Sequence, residues 1–504
     1  LVARTAVEAR DARQVIWTED LVVGFREKVA PAVDAAIAAN SIIPSGAAFE
    51  VAEGGGALGD NLGDIDIESV HAKGGVQILL KEGARVFAQE LIGDASKRKL
   101  RLTGDNVAIV RTNVVADNLR DLRFDDATRS ARSEGPGRFR VFREPLTLGE
   151  GKVERPNPQG RPSMEASWSE SLDYSEVAET RGNVDIRGDV KVRSRPSDTT
   201  SDAIDAQSIL LELGIDPKSK GAALSKDTVR NGATGSSQEL ANAERSLDHF
   251  IAKGGARLES RTFATAERVG EPRVFRVSGE HIEYDLRTRE GLVVGDGGIL
   301  VNMPKSAQAA VSETAPTKPS TTAKAQGSIA LGADGTTRFR WKERMAIEHQ
   351  YDDVFKIVMQ RDVELLHAGL RVDDTMSMRC DTLEAMVKRP LEKKDSVIDE
   401  TGASGERGVD LGGPAEMLSI KGSGAVIIRT AEQDIECGEF DYSLATGIAT
   451  LTAAPGRTVT VAMKGQPSPI RAQQMIWDLR NGRLQVSKVS GVGAAGSGSG
   501  SGGR

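Results

Sequence analysis

Apolar and polar residues alternate with a period of two along most of the chain. Val107-Ala108-Ile109-Val110, Val184-Asp185-Ile186 and Phe355-Lys356-Ile357-Val358 predict strands, as do Ala425-Val426-Ile427-Ile428 and Thr458-Val459-Thr460-Val461. Side chains two apart on a strand share one face, so each run predicts one buried and one wet face. Helical spacing is scarce, with candidates at Ala32–Ala39, after Pro31, and at Gln238–Phe250. Polar stretches rich in Gly, Pro, Ser and Thr interrupt the pattern at Pro145–Pro162, Gly214–Ser237 and Pro390–Gly413. The clearest of them, Lys305–Gln326, predicts a flexible linker. It separates an N-terminal part, 1–304, with insertions at 31–62, 145–165 and 214–240, from a C-terminal part, 327–490; a disordered Gly/Ser tail, 491–504, is expected beyond.

A short pattern recurs inside the strands: a small residue, two variable ones, an apolar residue, one variable, then an aromatic or apolar one. Gly279, Ile282 and Tyr284 form one copy, Cys437, Phe440 and Tyr442 a second, Ala472, Met475 and Trp477 a third. Ala12, Val15 and Trp17 fit, as do Leu119, Leu122 and Phe124; Ala206, Ile209 and Leu211 and Ala88, Leu91 and Gly93 are looser. Asp125, Asp285, Ser443 and Asp478 follow four copies, with Thr or Asn three residues later and then Gly or Arg. An Asp or Ser side chain caps such a turn and a following residue takes positive φ, so a hairpin is expected. A second pattern precedes several hairpins. Ala72-Lys73-Gly74-Gly75-Val76-Gln77-Ile78 is nearly repeated by Ala252-Lys253-Gly254-Gly255-Ala256-Arg257-Leu258. Arg181-Gly182-Asn183-Val184 and Lys421-Gly422-Ser423-Gly424-Ala425 are looser versions, each read as a Gly corner leading into a strand.

Composition narrows the picture. With 504 residues, 39% hydrophobic and 28% charged, the chain is folded and larger than one core usually serves. The 54 glycines suit many tight turns. A net charge of −7 spread over both signs argues against nucleic acid as a partner. Cys380 and Cys437 are too few for a disulfide scaffold, and whether they pair stays open. No apolar run of transmembrane-helix length occurs. Leu1-Val2-Ala3-Arg4 fits a processed chain or a fragment equally, so localisation is not legible there.

The two patterns in order resemble the OstA/LptA-like lipopolysaccharide-transport family, best at Val277–Leu300, Ile435–Leu451 and Gly74–Asp125. The resemblance implies an all-β, elongated open β-jellyroll of stacked antiparallel strands, in two units with loop insertions and few short helices. It implies a periplasmic or cell-envelope protein that moves lipopolysaccharide, or another acylated lipid, to the outer membrane. Acyl chains would lie against Val15, Trp17, Leu122, Phe124, Ile282, Tyr284, Phe440, Tyr442, Met475 and Trp477. Other β-jellyroll transport proteins would join through edge-strand pairing. The chain departs from the family in its length and in its large insertions.

Catalytic chemistry is not apparent. His71, His249, His281, His349 and His367 lack metal-site spacing, and no nucleophile elbow or zinc-protease motif occurs. Asp64, Asp66 and Glu68 share a strand face, which reads as solvated rather than as a calcium site. Gly54-Gly55-Gly56-Ala57-Leu58-Gly59 lacks the Lys-Ser/Thr of a phosphate loop. A non-catalytic lipid carrier without cofactor or metal is therefore the leading expectation. The alternative is a structural or adhesion β-solenoid with a filled core, which the irregular spacing of the copies disfavours.

Overall fold

The computed structural model describes residues 1–10, 14–27, 50–51, 65–80, 83–146, 151–155, 160–178, 180–215, 245–304, 335–369, 375–388, 416–479 and 483–488. These residues are overwhelmingly β, and none of them is helical. The candidate at Ala32–Ala39, the calcium-like Asp64 and the glycine run at Gly54 lie outside the described residues, as does Lys305–Gln326. The second helix candidate is corrected where it is described: Arg245–Phe250 begins a long strand. Phe250 and Ala252 are buried while Lys253 between the next pair is exposed, so period-two burial overrides local helix propensity.

The chain forms two compact units that divide within one strand, between Leu258 and Glu259. The first comprises Leu1–Leu258 with Glu283–Arg287. Its strands are β1 Val2–Arg10, β2 Gln14–Glu27, β3 Glu50–Val51, β4 Ile65–Leu80, β5 Arg85–Asp94, β6 Lys99–Arg111, β7 Val114–Asp125, β8 Ser130–Glu134, β9 Gly137–Val141, β10 Met164–Trp168, β11 Ser171–Ala178, β12 Arg181–Ser194 and β13 Thr200–Ile215. The dividing strand is β14, Arg245–Thr262, and β15 is Arg273–Asp285. The second unit continues with β16 Glu290–Val294, β17 Gly297–Met303, β18 Gly335–Trp341, β19 Arg344–Tyr351, β20 Val354–Gly369, β21 Thr375–Lys388, β22 Glu416–Thr430, β23 Gln433–Ser443, β24 Ile448–Thr452, β25 Val459–Met463, β26 Ile470–Ala472, β27 Gln474–Asp478 and β28 Arg483–Lys488.

Every pairing among the described residues whose register is resolved is antiparallel. In the first unit β1, β2, β4, β5, β6 and β7 form a meander. The ladder then splits. One half of β7 pairs with β8 and the other with β9; β8 passes to β11 and β9 to β10, and both rejoin on β12. The second unit repeats this from β17 and β16 through β18 and β19 to β20, and again from β23 through β24 and β25 to β27 and β26. The splitting strands β7, β15 and β23 are eight strands apart, so the chain repeats an eight-strand block beyond the short motifs.

Every long ladder also breaks register at mid-strand, for example between Lys73 and Val76, Arg187 and Val190, Gln360 and Val363, and Ser423 and Val426. Here each strand turns a corner, dividing the sheet into two half-sheets. Strands cross the corner in two alternating ways. In β4, β12, β14, β20 and β22 two consecutive residues have positive φ: Gly74-Gly75, Gly188-Asp189, Gly254-Gly255, Arg361-Asp362 and Gly424-Ala425. Buried residues four apart flank each pair, such as Ala72 and Val76 or Met359 and Val363. In β7, β13, β21 and β23 buried residues three apart flank the corner: Leu119 and Leu122, Ala206 and Ile209, Cys380 and Leu383, Cys437 and Phe440. Three residues on a flat strand would reverse the face; with the corner between them, both halves keep their apolar side inward.

The two sequence patterns are these two crossings. One copy was misframed: Gly182 lies within a paired stretch of β12, and the corner is Gly188-Asp189. The hairpin turns behave as expected. Asp125 Oδ1 accepts from the amides of Ala127 and Thr128 at 3.1 and 3.3 Å, and Asp285 Oδ1 from Arg287 at 2.8 Å. Arg129, Arg289 and Gly447 take the positive φ.

The corner at Gly424-Ala425 separates backbone freedom from space. Gly424 has φ +78°, and a Cβ there would meet the Asp381 side chain at 2.4–2.8 Å; Ala425 already holds φ +47°. Gly424→Ala should destabilise the second unit by about 1–2 kcal/mol, whereas Ala425→Gly should be neutral or stabilise by up to about 1 kcal/mol. Urea unfolding of the two variants checks this, and equal destabilisation would contradict the assigned corner.

Candidate functional site: the apolar inner faces

Antiparallel register stacks the inward residues of neighbouring strands into rows running across each half-sheet. In the first unit one row passes through Leu21, Ala72, Leu91, Leu102, Leu122, Ser133, Leu172, Ile186 and Ile209, each directly opposite the next. The adjoining row includes Val70, Gly93, Leu100, Phe124, Ala131, Tyr174 and Val184. In the second unit one row joins Val293, Met345, Met359, Leu383, Gly422, Phe440, Leu451 and Met475. Its neighbour joins Ile347, Ile357, Ala385, Ile420, Tyr442, Ala449 and Trp477. Across the corner, Phe339, Leu365, Met378, Ile428, Ile435 and Val461 form a row on the other half-sheet. No formally charged residue interrupts these rows.

The structure brings four of the ten residues expected to line a lipid site into one patch and places two more on adjacent rows of the other unit. Leu122 and Phe124 occupy adjacent rows of the first unit. Phe440, Tyr442, Met475 and Trp477 form a contiguous patch in the second, with the Phe440 and Tyr442 rings stacked at 6.3 Å. Ile282 is buried in the second unit; Tyr284 belongs to the first, 6.3 Å from the Phe250 ring. Val15 and Trp17 do not join this face. They flank Ile16, which is the inward residue opposite Ile78. Trp17 instead lies opposite Gln77 and beneath the Arg85 guanidinium, 5.9 Å from the ring centroid. The segment Gly151–Arg155, expected only as a loop, covers this outer site. Arg85 donates to Gly151 O at 2.7 Å, the Val153 amide to Gln77 Oε1 at 3.2 Å, and Arg155 to Asn106 O at 3.2 Å. The pattern around Ala12 was read six residues early: β2 turns its corner between the buried Thr18 and Leu21.

The patch in the second unit is closed, whereas Leu100, Phe124, Tyr174 and Val184 in the first unit are half-buried. Phe440 is 1% exposed, Met475 0% and Trp477 2%. Bulky indoles fit because their neighbours are glycine. A Cβ on Gly137 would lie 2.2 Å from the Trp168 ring, and one on Gly297 2.5 Å from that of Trp341. The Nε1 atoms of Trp168, Trp341 and Trp477 are buried without a hydrogen-bond partner among the described residues. Polar inner groups are few. Thr337 Oγ1 and His367 Nδ1 lie 2.9 Å apart and satisfy each other. Cys380 and Cys437 are separate, buried thiols. Burial pushes both up to about 12, helped by the negative charge of Asp381 at Cys380 and by Cys380 at Cys437. These rows offer dispersion and apolar burial to a ligand, with no charge to orient one.

Among the described residues no group of three His, Cys, Asp or Glu side chains is placed to hold a metal. His71 and His249 instead contact Glu90 and Glu283 at 2.7 and 3.0 Å. No protein-family model and no curated protein matches the chain.

Thiol chemistry reports on closure of the inner face. A thiol raised in the folded state costs nothing below its ordinary pKa. Stability is then lost as pH rises from about 9 towards 12, where only the unfolded chain ionises freely. Native protein at pH 8 should therefore leave Cys380 and Cys437 unmodified by iodoacetamide, while urea-unfolded protein reacts at both. Rapid native labelling would show that the inner face opens readily.

Proposed function

We propose that this protein is a non-catalytic carrier of acylated lipid. Its apolar inner faces hold the acyl chains, and it passes them on without chemistry of its own. One observation carries the reading: each half-sheet meets the other at a single line of corners, and both present uncharged rows inward. Among the described residues no strand pairing joins the far margins of the half-sheets. Rotation at the corners would part the rows without breaking a ladder. Each methylene then buried would contribute about 0.8 kcal/mol. Methionine supports the same reading, since Met345, Met359, Met378 and Met475 can repack around chains of different shape.

The resemblance to the lipopolysaccharide-transport family makes lipopolysaccharide the proposed cargo and the periplasm or cell envelope the proposed location. Partner β-jellyrolls would dock by strand addition. Along β1, described strand partners on the side away from β2 occur only at Ala9 and Arg10, and β28 pairs with β27 on one side. The near-zero exposure of Phe440, Met475 and Trp477 favours a second reading, a structural repeat with a filled core and no ligand.

Photocrosslinking separates the two. A benzophenone amino acid placed at Phe440, Tyr442 or Leu122 in protein expressed in a Gram-negative envelope should capture lipid. The same probe at Asp441, which points away from the inner face, should not. Absence of lipid adducts at all three inner positions would favour the filled repeat and sink the carrier.

A further inference from the structure

The second unit carries a groove of about 990 Å³ whose charged lining lies on the face opposite its apolar rows, with Ile299, Phe339 and Trp341 of the inward side also bordering it. It crosses β15, β17, β18, β20 and β21, a span of about 19 Å at normal strand spacing. Register sets its side chains in two rows. One runs Arg276, Leu300, Arg338; the other runs Ser278, Gly298, Arg340, Glu364, Arg379. Asp296, Lys342, Asp362 and Asp381 close the corner end.

The charges are not equivalent. Arg379 pairs with Glu364 at 2.6 Å, Lys342 with Asp362 at 2.9 Å, and Arg276 with Glu259 at 2.7 Å. Arg338 and Arg340 are exposed, and neither guanidinium forms an ion pair or hydrogen bond with a described residue. They are two apart on β18 and so share one face, their Cα atoms about 7 Å apart. Gly298, opposite Arg340, contributes no side chain; a Cβ there would meet the Phe339 carbonyl oxygen at 3.0 Å and Arg340 Cγ at 3.8 Å. Two neighbouring guanidinium forks without an ion-pair partner among the described residues suit a phosphate or sulfate ester, which accepts paired N–H donors. The rest of the groove suits the remainder of a sugar. Leu300 offers an aliphatic surface to ring C–H groups; Ser278, Asp296 and Asp381 offer partners to hydroxyls.

We propose that this groove binds an acidic saccharide, its phosphate or sulfate ester held between Arg338 and Arg340. The site lies across the sheet from the acyl-chain face and does not depend on the lipid reading. Its ligand is a short chain rather than one sugar, because the two arginines stand at mid-groove with polar surface on either side.

Titration calorimetry on the full chain tests it. The probes are a heparin-derived hexasaccharide, which is sulfated, and maltohexaose, which is neutral. The sulfated probe should bind and maltohexaose should not. The double variant Arg338→Gln/Arg340→Gln should weaken binding by roughly tenfold or more. Arg101→Gln/Arg123→Gln removes the same charge from the exposed outer face of the first unit and should leave binding unchanged. Both pairs are surface residues, and thermal unfolding confirms that each variant is folded. The proposal is overturned if the hexasaccharide does not bind, if maltohexaose binds as well, or if both double variants bind alike.

Discussion

The structure depends on one requirement: a strand must turn a corner and keep the same side chains inward on both arms. A flat strand fixes its faces by parity, and a simple bend would leave each half free to choose either face. The chain meets the requirement by changing the number of residues spent at the corner. Four-residue crossings use two left-handed residues, three-residue crossings use none, and neighbouring strands alternate between them except at β6, which passes from Leu102 to Val107 with positive φ at Gly104 alone. Alternation matters because the corner residues of one strand stand beside those of the next. Gly74 faces the Glu19 side chain, Gly254 faces Gln207 and Gly424 faces Asp381. The wide crossing thus gives up side chains where the narrow crossing projects them.

Everything inward follows from that line. Once every strand crosses it at the same level, direct cross-strand partners become rows, and the rows can be built without a charged residue. The splitting of the ladder at β7, β15 and β23 obeys the same rule. Two short strands replace one long strand, each lying on one side of the corner, so the chain can leave the sheet without leaving a row incomplete. The three copies share this topology while their connections differ greatly in length, as expected where loop closure costs grow slowly with length.

Much of the architecture was legible in the sequence because parity is legible. The spacing Cys437, Phe440, Tyr442 and the spacing Ala72, Gly74, Gly75, Val76 are direct records of the two crossings. What escaped had physical reasons. Arg361-Asp362 turns its corner without glycine, so no composition signal marks it. Gly182 mimicked a corner from within a strand, where a buried glycine meets packing rather than turning. Around Val15 and Trp17 the apolar signal was real but belonged to the other face. The Gly151–Arg155 segment buries Trp17 there through contacts with Gln77, Arg85 and Asn106, all distant in sequence. The Arg338/Arg340 groove was equally silent, since it needs five strands in register before its rows exist.

The same alternation that makes the inner face uniform makes the outer face free to vary. An inward substitution disturbs a row shared by many strands and lacks room to relax. Phe440, for instance, stands between Gly422 and Leu451, fully enclosed. An outward position touches only its immediate partners. Outer rows can therefore acquire local chemistry one strand at a time, as the ion pairs Arg101–Asp121 and Arg379–Glu364 and the open pair Arg338 and Arg340 have done. A folded sheet of this kind separates two tasks by construction. Non-specific apolar capacity is set by the corners and held in common along each unit. Specific polar recognition is set by single residues on the opposite side, where it can change without loosening the interior.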